Sequence, residues 1–266
     1  MPALREQDAA ARAENPVGRD FSEALARGLR IMAAFSAESP SRSLSDLSRE
    51  VELPRATVRR SLLTLVHLGY VEAVGRDFRL MPKVLTLAGA YLEATAVTTI
   101  LQPTCERLAA DHGETFSIAV MDAPDAVMVA YARARSMYLL GDGIGLRIPV
   151  HCTAVGRVLL AGLPEEQREL LLDRHGVAAA TPRTVTDRAV LARVFAQVKA
   201  ENLAIVEDEA ELGFRSLAVP VRCRNGRTRL ALNVGMATQR CGLDEARERL
   251  LPVLETEAER LGSLLI

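Results

Sequence analysis

The chain has 266 residues, 49% of them apolar and 25% charged, and a formal net charge of −1. That length gives room for a small domain and a larger one, each with its own core, and the composition is that of a soluble globular protein. A near-neutral balance does not announce a nucleic-acid binder, no apolar run reaches the roughly 18 residues of a membrane span, and the four cysteines form no C-x-x-C pair and no finger-like Cys/His spacing, which argues against a zinc site or a disulfide framework.

Residues 1–20, MPALREQDAAARAENPVGRD, are polar and lack the apolar core of a signal peptide, so a disordered arm on a cytoplasmic protein is expected. Residues 21–35 read as a helix: Leu25, Leu29, Met32 and Phe35 recur at helical spacing and Ser22 can cap it. Residues 36–43, rich in Ser and Pro, read as a loop. Ser43 then caps a short helix over 44–51, with Leu44, Leu47 and Val51 inward. Glu52-Leu53 is the turn, and Pro54 suits the first turn of a third helix, where its missing N–H costs nothing. That helix runs to about Leu68, with Val58, Leu62 and Leu65 inward, and Gly69 closes it in the manner of a left-handed cap. Two strands, 70–74 and 78–81, flank Gly75-Arg76-Asp77.

Two amphipathic helices joined by a tight turn and followed by a glycine-tipped hairpin are the pattern of a winged helix-turn-helix. Between Leu53 and Lys83 six basic residues face two acids. Such a local patch on a neutral protein is an electrostatic footprint for DNA. A solvated helix face explains most charge clusters; position on the second helix of a helix-turn-helix favours DNA. The candidate contacts are Arg55 and Arg59, four apart on one face, with Arg60, the hydroxyls of Thr57 and Ser61, and Arg76 at the wing tip.

Pro82 marks a boundary. A connecting helix follows over 83–94 with Val84, Leu87, Ala88 and Tyr91 on one side, then a helix over 100–112 ended by Gly113. Strands are expected at 115–121 and 126–132 around Asp122-Ala123-Pro124-Asp125, and a further one at 138–140. Helices follow from Cys152 to Ala161 and over 165–172 and 191–201, then strands at 204–207, 217–222 and 229–236. The last two flank Arg224-Asn225-Gly226-Arg227, whose Asn-Gly is a hairpin signal. A long helix over 244–264 ends the chain. This is an α+β arrangement, an antiparallel sheet flanked by helices.

No arranged catalytic set stands out in this second region. Gly141-Asp142-Gly143-Ile144-Gly145 lacks the spacing and strand-to-helix context of a nucleotide loop, so no cofactor is expected. His151-Cys152 invites a nucleophile reading, but neighbours in sequence seldom face each other, and a packed Cys beside a structural or pocket-lining His is the plainer reading. Glu207-Asp208-Glu209-Ala210-Glu211 offers ligands to a metal or a basic partner, although an acidic loop is more often solvated; no metal is expected. Thr153-Ala154-Val155-Gly156 begins a helix with small residues. A helix N-terminus attracts anions, so a small carboxylate there and an ordinary cap are equally good readings.

The segments LPRATVRRSLLTLVHLGYV (53–71), RIPVHCTAVGRVLLAGLP (147–164) and EDEAELGFRSLAVPVRCRNGRTRLALNVG (207–235) resemble the IclR family of bacterial transcription regulators. With ALARGLRIMAAF (24–35) and TPRTVT (181–186), the chain is most similar to the Pca/Pob subgroup, regulators of aromatic-acid catabolism. The resemblance implies a flexible arm (1–20), a winged helix-turn-helix (21–82), a linker helix (83–96) and an α/β effector domain with a curved, GAF-like antiparallel sheet (97–266). It implies an effector site at Thr153, Ala154 and Val155, at Phe214 and Ser216, and at Asn233 and Gly235. The subgroup often carries Arg near Tyr131, whereas here Arg133 follows two positions on; strand alternation puts both on one face, and both are candidates. Val206 stands where some members have an acid. The expected partners are an inverted-repeat DNA operator, a small aromatic or keto acid, and further copies of the chain in a homodimer or dimer of dimers. Two other classes stay open at this point: an enzyme of small carboxylic acids docked by its helix-turn-helix, and a ligand-independent DNA-binding protein.

Overall fold

A computed structural model of the chain describes residues 20–36, 39–133, 143–223 and 226–264. The expected arm (1–19), the strand at 138–140, Gly141-Asp142 and Arg224-Asn225 lie outside them. The chain divides into two compact units, Met1–Tyr91 and Leu92–Ile266.

The first unit contains α1 (Glu23–Ala33), β1 (Ser41–Ser43), α2 (Leu44–Glu50), α3 (Arg55–His67), β2 (Val71–Val74) and β3 (Asp77–Leu80). Ile31, Leu47, Val58, Leu62, Leu65 and Val71 form its core. The stripe expected on α1 is out of phase. Leu25 and Leu29 are 63% and 54% exposed, and Ile31 is buried instead. At about 100° per residue Leu29 lies roughly 200° from Ile31, on the far side of the helix. Ser22 occupies the N-cap position of α1 but makes no side-chain cap bond.

Ser41–Ser43, expected as loop, is an edge strand paired with β3 in the order β1-β3-β2. A serine-rich segment lacks strand propensity, but pairing with β3 and the Arg42 guanidinium, bonded to the Ala34 carbonyl and to Glu50, hold it extended. The Ser43 hydroxyl caps α2 by accepting from the Asp46 N–H at 3.2 Å. Pro54 sits just outside α3, at the N-cap position, where its carbonyl accepts from the Thr57 and Val58 N–H groups. At the other end Gly69, at φ +77°, lets the Tyr70 N–H reach the Leu65 carbonyl, a Schellman closure. After the two-residue Gly75-Arg76 turn and a short 3-10 turn comes α4 (Leu85–Ala94), which buries no residue; Leu87 and Tyr91 of its expected inward stripe are exposed.

The second unit begins with a wide π turn, Val97–Leu101, and α5 (Gln102–His112). There follow β4 (Thr115–Asp122), β5 (Asp125–Ala132), β6 (Arg147–Pro149), α6 (Ala154–Ala161), α7 (Glu165–His175), α8 (Arg188–Glu201), β7 (Ala204–Glu207), β8 (Phe214–Arg222), β9 (Thr228–Ala237) and α9 (Leu243–Leu264). The strands form one antiparallel sheet in the order β6-β5-β4-β9-β8-β7.

Two cores cover its two faces. Phe116, Ile118, Leu217, Leu232 and Val234 point to one face, with Leu101 and Leu108 of the first helical layer and Leu250, Leu254 and Leu261 of α9. On the other face Ala119, Ala218 and Ala231 meet Val155, Val158 and Leu159 of α6, and Leu191 and Phe195 of α8. Small alanines allow α6 close to the sheet. Next to them, by strand alternation, the same face carries Thr115, Ser117, Asn233, Gly235 and Ser216. Those side chains are too short and too polar to complete the core, and a void is left under the start of α6. Among the described residues no single helix is long and apolar enough to cross a membrane.

Candidate functional site

On the first unit, α3 exposes Arg55, Arg59 and Arg60, and the wing turn exposes Arg76. Among the described residues none of these four has an ion-pair partner. The other two cations of the patch are held internally: Arg79 by Glu72, and Lys83 by the Leu68 carbonyl at 2.9 Å while lying over the Tyr70 ring. Ser61 is half-buried. Thr57 corrects the sequence reading. It is only 6% exposed, because the buried arc of α3 takes in Thr57 and Val58 together with Leu62 and Leu65, so its hydroxyl is not on the open face.

On the second unit, the void between α6 and the sheet is a cavity of about 310 Å³. That is room for on the order of ten water molecules at about 30 Å³ each. The predicted effector residues come together there from four elements: Thr153 with Ala154 and Val155 at the start of α6, Phe214 and Ser216 on β8, Asn233 and Gly235 on β9, and Tyr131 on β5. Arg133 does not join them: β5 ends at Ala132, so the alternation that paired Arg133 with Tyr131 stops one residue early, and Arg133 is exposed. Val206 lines the cavity, while Glu207 is paired with Arg215 at 2.6 Å and does not replace the acid found there in related chains.

The local chemistry of the walls follows from the sequence. Gly156 has no Cβ, and one built there would lie 2.2 Å from the Val150 carbonyl oxygen, so α6 sits directly on the preceding chain. The Thr153 hydroxyl donates to the Pro149 carbonyl at 2.7 Å and accepts from the Gly156 N–H. Among the described residues the N–H groups of Ala154 and Val155 have no partner in the chain, although both residues are buried. Two free donors at a helix N-terminus make a place for an anion. Gly235 lets the Phe214 ring lie against β9; a Cβ there would meet the ring tip at 2.5 Å. Among the described residues the Thr115 hydroxyl and the Asn233 Oδ1 are also buried without a partner, while the Asn233 amide NH₂ donates to Ser117. Thr115 and Ser117 escaped the sequence reading, though TFSIAVM (115–121) already alternates polar and apolar at its start.

The acids Asp208 and Glu209 of the acidic loop are tied into the fold. Glu209 forms a buried ion pair with Arg157 of α6 at 2.7 Å and accepts from the Val185 N–H. Asp208 accepts from Arg183 and from the Gly213 N–H. The Thr181 and Thr184 hydroxyls donate to the loop's carbonyls. The segment TPRTVT is thereby fastened to the loop that leads into Phe214. Among the described residues no group of three or more His, Cys, Asp or Glu is arranged to hold a metal ion. His151 contacts the Ala178 carbonyl, not Cys152, and burial, reinforced by Glu209, pushes the Cys152 thiol up to about 11. A thiol held neutral is no nucleophile.

A winged helix with open arginines, joined in one chain to a domain with a polar-ended cavity, is the arrangement of a DNA-binding transcription regulator. Comparisons agree. The model of the IclR helix-turn-helix domain matches residues 24–75, and that of the bacterial transcriptional regulator IclR C-terminal domain matches residues 89–262. The chain is 36% identical to the Pca regulon regulatory protein of Pseudomonas putida over 88% of its length and 81% of that protein. It superposes on a transcriptional regulator from Rhodococcus sp. RHA1 with a TM-score of 0.80 at 36% identity, covering 92% of this chain and 98% of the other. It also resembles a double mutant of the PobR inducer-binding domain from Acinetobacter, in complex with 3-hydroxybenzoic acid, at 30% identity and a TM-score of 0.59, over 62% of this chain and 97% of that one. The chain belongs to the IclR family of transcriptional regulators and is of its Pca/Pob type.

Proposed function

We propose that the protein is a cytoplasmic regulator of aromatic-compound catabolism genes, and that a small aromatic or keto acid in the α6 cavity controls its binding to an inverted-repeat operator. The observation that carries this reading is the cavity, whose apolar walls enclose buried donors and acceptors without partners among the described residues. Such atoms are costly to bury unless a ligand or water completes them. Similarity to an inducer-binding domain that holds 3-hydroxybenzoic acid supports an aromatic acid. Arg55, Arg59, Arg60 and Arg76, with Ser61 beside them, are the operator contacts of the reading; Thr57 is not. A homodimer or dimer of dimers supplies the second recognition helix, and the exposed Leu25, Leu29, Leu87 and Tyr91 are apolar surface suited to self-association. Control is by linkage: the acid binds one effector-domain conformation better, which changes operator affinity by a coupling of about 1–3 kcal/mol, or roughly 5- to 150-fold.

The test is operator binding by the full chain with and without acid. Arg55→Ala with Arg59→Ala removes promoter binding and leaves acid-induced thermal stabilisation intact; Ser216→Leu does the reverse. Promoter binding with an unchanged salt slope in the first variant sinks the recognition-helix assignment. Unchanged stabilisation in the second sinks the cavity.

A further inference from the structure

One wall of the cavity is tied to the stretch through which the chain enters the second unit. α4 crosses the boundary between the units and ends at Ala94; Thr95 and Ala96 lead into the π turn Val97–Leu101, and Gln102 opens α5. On the sheet side, β5 contributes Tyr131 to the cavity lining. The outer edge of β5 pairs with β6 over Asp125–Val127, and at Met128 with the backbone of Gly145 and Leu146. At Tyr131 a side chain takes over. The Gln102 amide donates through Nε2 to the Tyr131 carbonyl and accepts through Oε1 from the Tyr131 N–H, both at 3.0 Å. A primary amide offers the donor and the acceptor of a peptide group, so Gln102 imitates one residue of a neighbouring strand. The same Nε2 donates to Glu106 at 2.9 Å. That fixes the orientation of the amide: its nitrogen meets two acceptors and its oxygen a donor.

The turn that precedes Gln102 has two hydrogen-bonding registers within reach. The Ala96 carbonyl accepts from the Ile100 N–H at 3.0 Å, the α spacing, and from the Leu101 N–H at 3.3 Å, the π spacing. Ala96 itself stands at φ +55°, a left-handed conformation that is costly for a residue with a Cβ and persists only where the surroundings impose it. Val97 and Leu101, each 1% exposed, anchor the turn in the core of the second unit. Passing from one register to the other changes the helical phase of the residues before the turn by up to about 100°, the rotation of one residue.

We infer that Gln102 is the positioning residue that couples the cavity to the DNA-binding unit: its amide holds the π turn against Tyr131, and a ligand against Tyr131 shifts the balance of registers at the base of α4. This rests on the effector reading above and adds the contact through which the acid is felt. The physical warrant is one element with two states, biased by the Tyr131 backbone on one side and preceded in the chain by α4 on the other.

The experiment is fluorescence anisotropy of the full chain on its own promoter DNA, with and without saturating 3-hydroxybenzoate, 4-hydroxybenzoate or 3-oxoadipate, for the native protein, Gln102→Leu and Gln102→Glu. In the native protein at least one acid changes promoter affinity by roughly 5- to 150-fold. Gln102→Leu loses both bonds to Tyr131, and the ratio of affinities with and without that acid falls to within about twofold of one. Gln102→Glu, in its ionised form, still accepts from the Tyr131 N–H but cannot donate to the carbonyl, and its ratio lies between the other two. Both variants keep acid-induced thermal stabilisation and acid-free promoter binding, which a merely structural role for Gln102 would lower together with the ratio. A native ratio in either variant overturns the inference and leaves the effector reading standing, and so does loss of stabilisation in parallel with the ratio. Should Gln102→Leu fail to fold, Gln102→Glu decides by the same criteria. A native protein whose promoter affinity ignores all three acids overturns the effector reading and this inference together.

Discussion

Glu209→Ala tests the fastening of the cavity. Glu209 and Arg157 are 8% and 3% exposed, and their ion pair is 2.7 Å long. Truncation leaves the Arg157 guanidinium buried with its Nε–H donating to the His151 carbonyl at 2.8 Å, and leaves the Val185 N–H without its acceptor. Removing one partner of a buried pair costs about 3–5 kcal/mol, chiefly because a charge stays buried uncompensated. For a domain of this size each kcal/mol shifts Tm by about 2–4 °C, so the melting point of the second unit falls by roughly 6–20 °C. The double variant Arg157→Met with Glu209→Leu removes both charges and fills the space. It regains most of the loss, with a deficit of about 1 kcal/mol from the Val185 N–H. Scanning calorimetry of the wild type, Arg157→Met, Glu209→Leu and the double variant closes the thermodynamic cycle. A Glu209→Ala loss below about 1 kcal/mol, or a double variant worse than the sum of the singles, refutes the reasoning. Because Ala210, Glu211 and Phe214 follow directly and line the cavity, acid affinity falls with the single substitution as well.

Three further outcomes are expected. Gly235→Ala drives a Cβ into the Phe214 ring tip and swings the ring into the cavity. Thermal unfolding shows a stability loss of about 1 kcal/mol, while acid-induced stabilisation disappears; retained stabilisation contradicts this geometry. Cys152 stays unlabelled by a thiolate-specific reagent at pH 8 in the native state, since burial holds its thiol near 11, and reacts only on unfolding; rapid native labelling, read by mass spectrometry, contradicts that. Ser43→Ala removes the α2 cap at a cost of about 1 kcal/mol. The Ser43 hydroxyl also donates to Asp46 and lowers its pKa. A depressed carboxylate contributes above its unfolded pKa and ceases to as pH falls through the folded one, so the gap between wild type and variant in denaturant titrations narrows on acidification.

What the sequence determined by itself is what depends on neighbours a few residues apart. The caps at Ser43 and Thr153, the Gly69 closure, the inward stripe of α3 and the paired strands around residues 122–125 rest on helical or alternating periods and on turn chemistry, and were legible from composition and spacing. The exposure of Arg55, Arg59 and Arg60 also agrees with the expectation from sequence. That Thr153, Phe214, Ser216, Asn233 and Gly235 share one cavity was expected through family resemblance alone, since no local pattern brings β5, α6, β8 and β9 to one place.

Tertiary structure decided the rest, for reasons of phase and register. Which of Leu25, Leu29 and Ile31 faces inward depends on what α1 lies against, and the burial of Thr57 depends on the same core. Three serine-rich residues became a strand because β3 offered an edge. The acids of the 207–211 loop found Arg157, Arg183 and Arg215, of which Arg157 is some fifty residues distant along the chain. The orphaned Thr115 and Asn233 atoms follow from the β4–β9 register, which a sequence of alternating residues permits in many versions and only the folded sheet selects.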